Sequence, residues 1–125
     1  MTGSAGGMGR AIRARLEAQG DQVIGVDVRD AEVEADLSTV AGRDAMVRAV
    51  TEAAPDGLDG LVVAAGITRD EGPPVVRINY FGALATLTGL RPLLAERPAS
   101  RVVVVGSNSS TTQPGLPLEL VDACL

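Results

Sequence analysis

Thr2-Gly3-Ser4-Ala5-Gly6-Gly7-Met8-Gly9 leads directly into residues 9–19, which read as a helix: Met8, Ile12 and Leu16 recur every four positions, and Gly20 supplies the stop. Outward from that turn, short apolar runs alternate with helix-length amphipathic stretches. The runs are residues 23–28 (VIGVDV), 61–65 (LVVAA) and 102–105 (VVVV). They are continuous rather than alternating, the pattern of strands in a parallel sheet covered on both faces. Residues 33–37 (VEADL) are a weaker strand candidate at an edge. Ser38 is placed to cap a second helix through about Ala54, ended by Pro55 and Gly57. A third helix is predicted over residues 75–96, bent near its end because it contains Gly82, Gly89 and Pro92. Strands alternating with helices predict an α/β fold built on a doubly wound parallel sheet.

The expected sheet is incomplete. Only Met1 and Thr2 precede the glycine turn, so the first strand, which is the central one in such sheets, is expected to be missing. Everything after the strand region at 102–105 is expected to be missing as well. The strands around residues 23–28 and 61–65 should then be unbridged, with backbone groups left unpaired.

Composition narrows the chemistry. The 125 residues are 46% hydrophobic but only 2% aromatic, so the core must be built from Ala, Val, Leu and Ile. There is no His, and all 11 basic residues are Arg. Histidine bases, His-ligated zinc, Schiff-base lysines and the lysine-dependent P-loop are excluded, and no metal site is expected. The one cysteine, Cys124, cannot form an internal disulfide, which fits a reducing, cytoplasmic setting. A net charge of −5 argues against nucleic acid as a partner, and no apolar run approaches the ~20 residues of a membrane helix.

The glycine turn itself points to a ligand. Glycines let the backbone turn tightly and approach a phosphate without interference from a Cβ. The first amides of the following helix lack intrahelical partners, and the helix dipole favours negative charge there. Residues Gly3, Ser4, Ala5, Gly6, Gly7, Met8 and Gly9 are therefore candidates for cradling a pyrophosphate. Asp27, eighteen positions after Gly9 at the end of the next apolar run, is placed to accept both hydroxyls of an adenosine ribose. A carboxylate there repels a 2′-phosphate, so NAD is expected in preference to NADP.

These residues resemble the short-chain dehydrogenase/reductase family, whose signature Thr-Gly-x-x-x-Gly-x-Gly is met by residues 2–9. Because Gly6 is also glycine, the turn fits the extended sugar-epimerase branch equally well; later motifs favour the shorter-chain branch. Asp36 and Leu37 match the pair that contacts adenine in the family. Ala64-Ala65-Gly66 stands where Asn-Ala-Gly is usual, with Ala65 and Gly66 beneath the nicotinamide ribose. Asn79 matches the active-site helix asparagine, and Ser107 the serine that hydrogen-bonds the substrate oxygen, with Ser109 as a fallback. A narrower likeness over residues 23–39 and 79–83 is to the subgroup that holds hydroxysteroid and coniferyl-alcohol dehydrogenases.

The resemblance implies a Rossmann-type partial dinucleotide-binding domain over residues 1–125. It also implies NAD-dependent interconversion of a secondary alcohol and a ketone on a bulky, apolar small molecule, and homo-oligomers joined through the helix at 75–96. One family feature is absent from the sequence. The family's Tyr-x-x-x-Lys pair transfers the alcohol proton, the lysine bringing the phenol's pKa down from about 10. This sequence has no lysine, and its one tyrosine, Tyr80, is followed four positions on by Leu84. The chain alone is expected to be inactive, and a non-catalytic NAD-binding module or sensor is the alternative reading. Glu32, Glu34, Asp70 and Glu71 are read as solvated surface.

Overall fold

A parallel sheet requires each strand to find backbone partners on a neighbour, and the way this chain meets that requirement sets its architecture. The computed structural model describes residues 1–68 and 72–108. In chain order the elements are α1 (Gly7–Ala18), β1 (Val26–Asp27), β2 (Val33–Glu34), α2 (Val40–Ala53), β3 (Gly60–Val63), α3 (Pro73–Val76), a π-helical segment (Arg77–Gly82), α4 (Ala83–Ala95) and β4 (Arg101–Val104). β1 pairs with β2, and β3 with β4, all parallel; the registers are Val26 with Val33 and Gly60 with Arg101.

The expected gap at the centre of the sheet is closed. Thr2 bridges to Val26 on one side and Val63 on the other, both in parallel sense. Its N–H donates to Val62 O (2.9 Å), Val26 N–H donates to Met1 O (2.8 Å), and Gly3 N–H donates to Val26 O (2.8 Å). The spatial order is thus β2, β1, Thr2, β3, β4. Met1 and Gly3 bond to the β1 side, Met1 through its amine on Ile24 O and its carbonyl, Gly3 through its N–H, while Thr2 reaches β3 through its N–H. The neighbours are correspondingly short: of residues 23–28 only Val26 and Asp27 are strand. Gly25 N–H, which a longer ladder would have used, donates instead to the Glu32 carboxylate (2.9 Å).

α2 and α4 lie side by side, α2 against β2 and α4 against β3. Beneath them lies a core of Val26, Val33, Ala35, Leu37, Met46, Val50, Leu61, Val63, Leu90, Leu93 and Leu94. No aromatic ring is among them, as the composition requires. Close approach of the two helices depends on Gly89, where a Cβ would stand 2.4 Å from Val47 Cγ2.

Local signals fix most helix ends. α1 stops in a Schellman motif: Asp21 N–H donates to Leu16 O and Gly20 N–H to Glu17 O, with Gly20 at φ +91°. α2 is capped by Thr39 rather than by Ser38. Thr39 Oγ1 accepts from Gly42 N–H (2.9 Å), whereas Ser38 N–H is turned back onto Asp36 Oδ1 (2.9 Å).

The third predicted helix exists but bends elsewhere than expected. α4 runs through Pro92 to Ala95, and the irregularity falls on the π-helical Arg77–Gly82. Where this segment meets α4, the buried Thr86 donates its Oγ1–H back to Gly82 O (2.8 Å). A second departure concerns the strand at 102–105, expected to be covered on both faces: Val102, Val103, Val104 and Val105 are all exposed.

Candidate functional site

The residues singled out in the sequence converge on one edge of the sheet, at the carboxyl ends of its parallel strands. The glycine turn follows Thr2, Asp27 ends β1, Ala65 and Gly66 follow β3, and Ser107 follows β4. In open α/β sheets this edge, around the central strand, is where ligands bind.

Two glycines make the turn possible and two leave it open. Gly3 has φ +72°, and a Cβ on it would lie 2.7 Å from Ala64 O and Ala65 N, so the turn lies directly on the loop after β3. A Cβ on Gly9 would lie 1.8 Å from Gly3 O, so α1 begins in contact with the start of the turn. Gly6 and Gly7, by contrast, are exposed, and a Cβ on Gly7 would meet nothing within 4 Å. α1 has no side-chain cap at Gly6 and no acidic residue in its first turn. Its mouth therefore presents unshielded N–H groups and the positive end of the helix dipole, beside the exposed Met8.

The turn is moored on two sides. Thr2 Oγ1, fully buried, accepts from both Ala64 N–H and Ala65 N–H (3.3 Å each). On the other side Gly3 and Ser4 N–H donate to Val26 O, and Ala5 N–H donates to Asp27 Oδ2 (2.9 Å). Asp27 Oδ1 accepts from Val28 N–H (2.8 Å). The Ser4 hydroxyl is buried without a hydrogen-bond partner, 2.7 Å from where a Gly25 Cβ would be.

Asp36 is exposed; the hydroxyl and N–H of Ser38 hold its carboxyl below the usual carboxylate range. Leu37 belongs to the core, and its carbonyl accepts from Arg43 (2.9 Å). The contact between Leu37 and Gly82, 3.2 Å from Leu37 Cβ to a Gly82 Cβ position, brings this segment against the π-helical one.

Asn79 is committed to structure at both ends of its amide. Oδ1 accepts from Ile67 N–H and Nδ2 donates to Ile67 O, each at 2.9 Å, so it clamps the loop that carries Ala65 and Gly66. Ser107 is exposed beyond Val105, whose N–H donates to Val63 O (2.9 Å). Ser109, Asp70, Glu71 and Cys124 lie outside the described residues. Tyr80 and Phe81 form an edge-to-face pair with centroids 5.1 Å apart. Together with Val76 and Leu84 they make an exposed apolar row on the helix where association is expected. Among the described residues no cluster of side chains could hold a metal, and no helix is long and apolar enough to cross a membrane.

Glu32 is exposed, as expected, but it is also ion-paired. Arg13 donates to both of its oxygens and also to Glu17 Oε1, while Glu32 accepts from Gly25 N–H. The clamp ties α1 to the connection between β1 and β2. An i,i+4 spacing makes Arg13–Glu17 legible in the sequence, but nothing local reveals Glu32. The Arg13 guanidinium holds the Glu32 carboxyl down from 4.5 to about 2. A carboxylate more acidic in the fold than in the unfolded chain stabilises above about pH 4.5, and that contribution is lost as pH falls towards 2. The pair is half exposed, so screening limits it to about 1 kcal/mol. Glu32→Gln should lower stability by that amount at pH 7 and flatten the acid limb; identical urea midpoints for both proteins at pH 7 and pH 3 would refute the clamp.

With this geometry in place, comparison with known proteins is decisive on one point. The family model for short chain dehydrogenases matches residues 1–117. The chain belongs to the short-chain dehydrogenase family. It is 42% identical over 113 residues to 3-alpha-hydroxysteroid dehydrogenase/carbonyl reductase of Comamonas testosteroni. It also superposes on the crystal structure of a 3-alpha-hydroxysteroid dehydrogenase from Pseudomonas sp. B-0831, complexed with NADH, with a TM-score of 0.85 and 44% identity over 91% of this chain. A Thermoplasma acidophilum aldohexose dehydrogenase shares the fold at a TM-score of 0.73 and 19% identity, covering 98% of this chain. The fold is accordingly that of the Rossmann-type short-chain dehydrogenases, in incomplete form. The chain spans under half the length of the two hydroxysteroid dehydrogenases, 44% and 45% respectively.

Proposed function

We propose that residues 1–125 form part of a dinucleotide-binding domain that takes NAD, within an oxidoreductase that interconverts a secondary alcohol and a ketone on a bulky, apolar, steroid-like or aromatic molecule. The observation that carries this reading is the open mouth of α1, where Gly6, Gly7 and Met8 are exposed, no acid or cap intervenes, and Asp27 stands beside the turn. This donor set fits a pyrophosphate flanked by a ribose. The names of the relatives support the alcohol–ketone class.

In this reading the N–H groups of Gly7, Met8 and Gly9 face the pyrophosphate, and Asp27 accepts the ribose hydroxyls. Asp36 borders the adenine with Leu37 behind it, and Ala65 and Gly66 approach the nicotinamide ribose. The nicotinamide supplies the hydride chemistry when bound. Ser107 orients a substrate carbonyl as a hydrogen-bond donor, and Asn79 fixes the loop on which Gly66 stands. These 125 residues hold no Tyr-x-x-x-Lys pair, and the reading assigns them cofactor binding and substrate orientation, not proton transfer.

Calorimetric titration with NAD and NADP, alongside far-UV circular dichroism, tests the reading. The expected result is a folded chain that binds NAD more tightly than NADP. A folded chain with no heat for either would reject it. The missing pair also favours a second reading, an NAD-binding module without catalysis. Mixing the chain with the part of the Comamonas relative that it does not cover separates the two: NADH production from a steroid alcohol favours the enzyme, and its absence the module.

A further inference from the structure

The geometry points to a second role for Asp27: it is the tether that holds the phosphate-binding turn in shape, and so a positioning residue for the pyrophosphate as well as a reader of the ribose. The inference rests on the proposed reading of the turn as a pyrophosphate site. The exposed stretch of the turn is held on its far side by α1, through Arg10 N–H on Gly6 O (2.9 Å) and Gly9 against Gly3, and on its near side has few attachments. Gly7 has no neighbour within 4 Å of a Cβ position, and Gly6 has only Gly3 O, to which its own N–H donates (3.2 Å). Neither residue has a side chain with which to pack. Ala5, immediately before this stretch, is fixed by one long-range hydrogen bond, from its N–H to Asp27 Oδ2 (2.9 Å). Gly3 and Ser4 N–H dock on the neighbouring Val26 carbonyl, so the bond at Ala5 completes a three-amide attachment of the turn to the end of β1.

The carboxylate can do this and still read a sugar. Each oxygen has more than one lone pair; Ala5 N–H occupies one on Oδ2 and Val28 N–H one on Oδ1, leaving an acceptor direction on each. The tether and the charge are therefore separable. Asp27→Asn keeps an oxygen for Ala5 N–H and loses the charge that repels a 2′-phosphate, and the exposed Val28 N–H turns to water. Asp27→Ala loses both. Removing the carboxylate outright should not convert the site to NADP, because the turn that must hold the pyrophosphate loosens with it.

The test uses the full 125-residue chain, with calorimetric titration of NAD, NADP and inorganic pyrophosphate, and amide hydrogen exchange at Ala5 by NMR. Pyrophosphate has no ribose, and Asp27→Ala and Asp27→Asn both remove the charge that repels it, so the difference between the two variants reports the tether. Asp27→Ala is expected to bind pyrophosphate about tenfold more weakly than Asp27→Asn, the scale of a retained hydrogen bond. It should also exchange Ala5 N–H faster and gain no affinity for NADP. Asp27→Asn should retain pyrophosphate binding and Ala5 protection while the preference for NAD over NADP narrows. Equal pyrophosphate affinity in Asp27→Ala and Asp27→Asn with wild-type Ala5 exchange in Asp27→Ala, or a gain of NADP affinity in Asp27→Ala as large as in Asp27→Asn, overturns the proposal. If wild type binds none of the three ligands, the cofactor reading itself has failed, and Ala5 exchange in the two variants decides the tether alone.

Discussion

Gly9→Ala is expected to abolish the folded state, or to cost more than about 4 kcal/mol, where most substitutions cost about 1. The new methyl would stand 1.8 Å from Gly3 O and 2.8 Å from Gly3 C, and both are backbone atoms. Neither can turn aside as a flexible side chain would. Gly3 is held by its N–H on Val26 O and by its contact with Ala64 and Ala65, so relief requires α1 to lift off the turn or the turn to lift off the sheet. Either movement separates the mouth of α1 from the turn and the sheet. Gly7→Ala is the matched control: its Cβ meets nothing within 4 Å, and alanine is the better helix former by about 1 kcal/mol. It should fold at least as well as wild type but bind NAD more weakly, since the methyl projects at the open mouth. Circular dichroism and urea midpoints for the two variants provide the measurement. A Gly9→Ala protein that melts like wild type would show that α1 does not start against Gly3.

The second large effect is in the core. Met46, on α2, has no exposed surface and is the largest of the fully buried side chains. With no aromatic ring among the buried residues, the space beneath α2 and α4 is filled by this flexible thioether together with Leu and Val side chains. Met46→Ala leaves a void the surrounding side chains cannot fill, at a cost of about 2–5 kcal/mol. That is a large share of the roughly 5–15 kcal/mol by which a domain is normally stable. Met46→Leu preserves volume and should cost under about 1.5 kcal/mol. Equal urea midpoints for the alanine and leucine variants would place Met46 outside the core.

Much of the candidate site was legible because its signals are local. The glycine spacing in residues 2–9, the apolar runs and the carboxylate at the end of the first run each declare themselves within a few residues. The helix ends show where local reading fails. Ser38 and Thr39 are equally good caps by type, and the choice between them turns on Asp36, whose carboxylate draws Ser38 N–H back and leaves Thr39 facing Gly42. Gly82, Gly89 and Pro92 together predict a bend near the helix's end, yet α4 passes through Gly89 and Pro92, while the π-helical turn falls at Arg77–Gly82, where Asn79 clamps Ile67 and Thr86 donates to Gly82 O. Those partners are distant in sequence or concealed inside a regular helical pattern.

The sequence by itself determined the alternation of strand and helix, the aliphatic core, the glycine turn at the mouth of a helix, and the lack of a Tyr–Lys proton-transfer pair. These follow from composition and short-range spacing, which no packing can alter. The tertiary structure decided that Thr2 bridges the sheet, that Glu32 is clamped by Arg13, that Asn79 is spent on the backbone of Ile67, and that Asp27 ties down Ala5. Each of those depends on a hydrogen-bonding group whose partner is more than ten residues away along the chain, and such pairings are fixed only when the strands and helices come together.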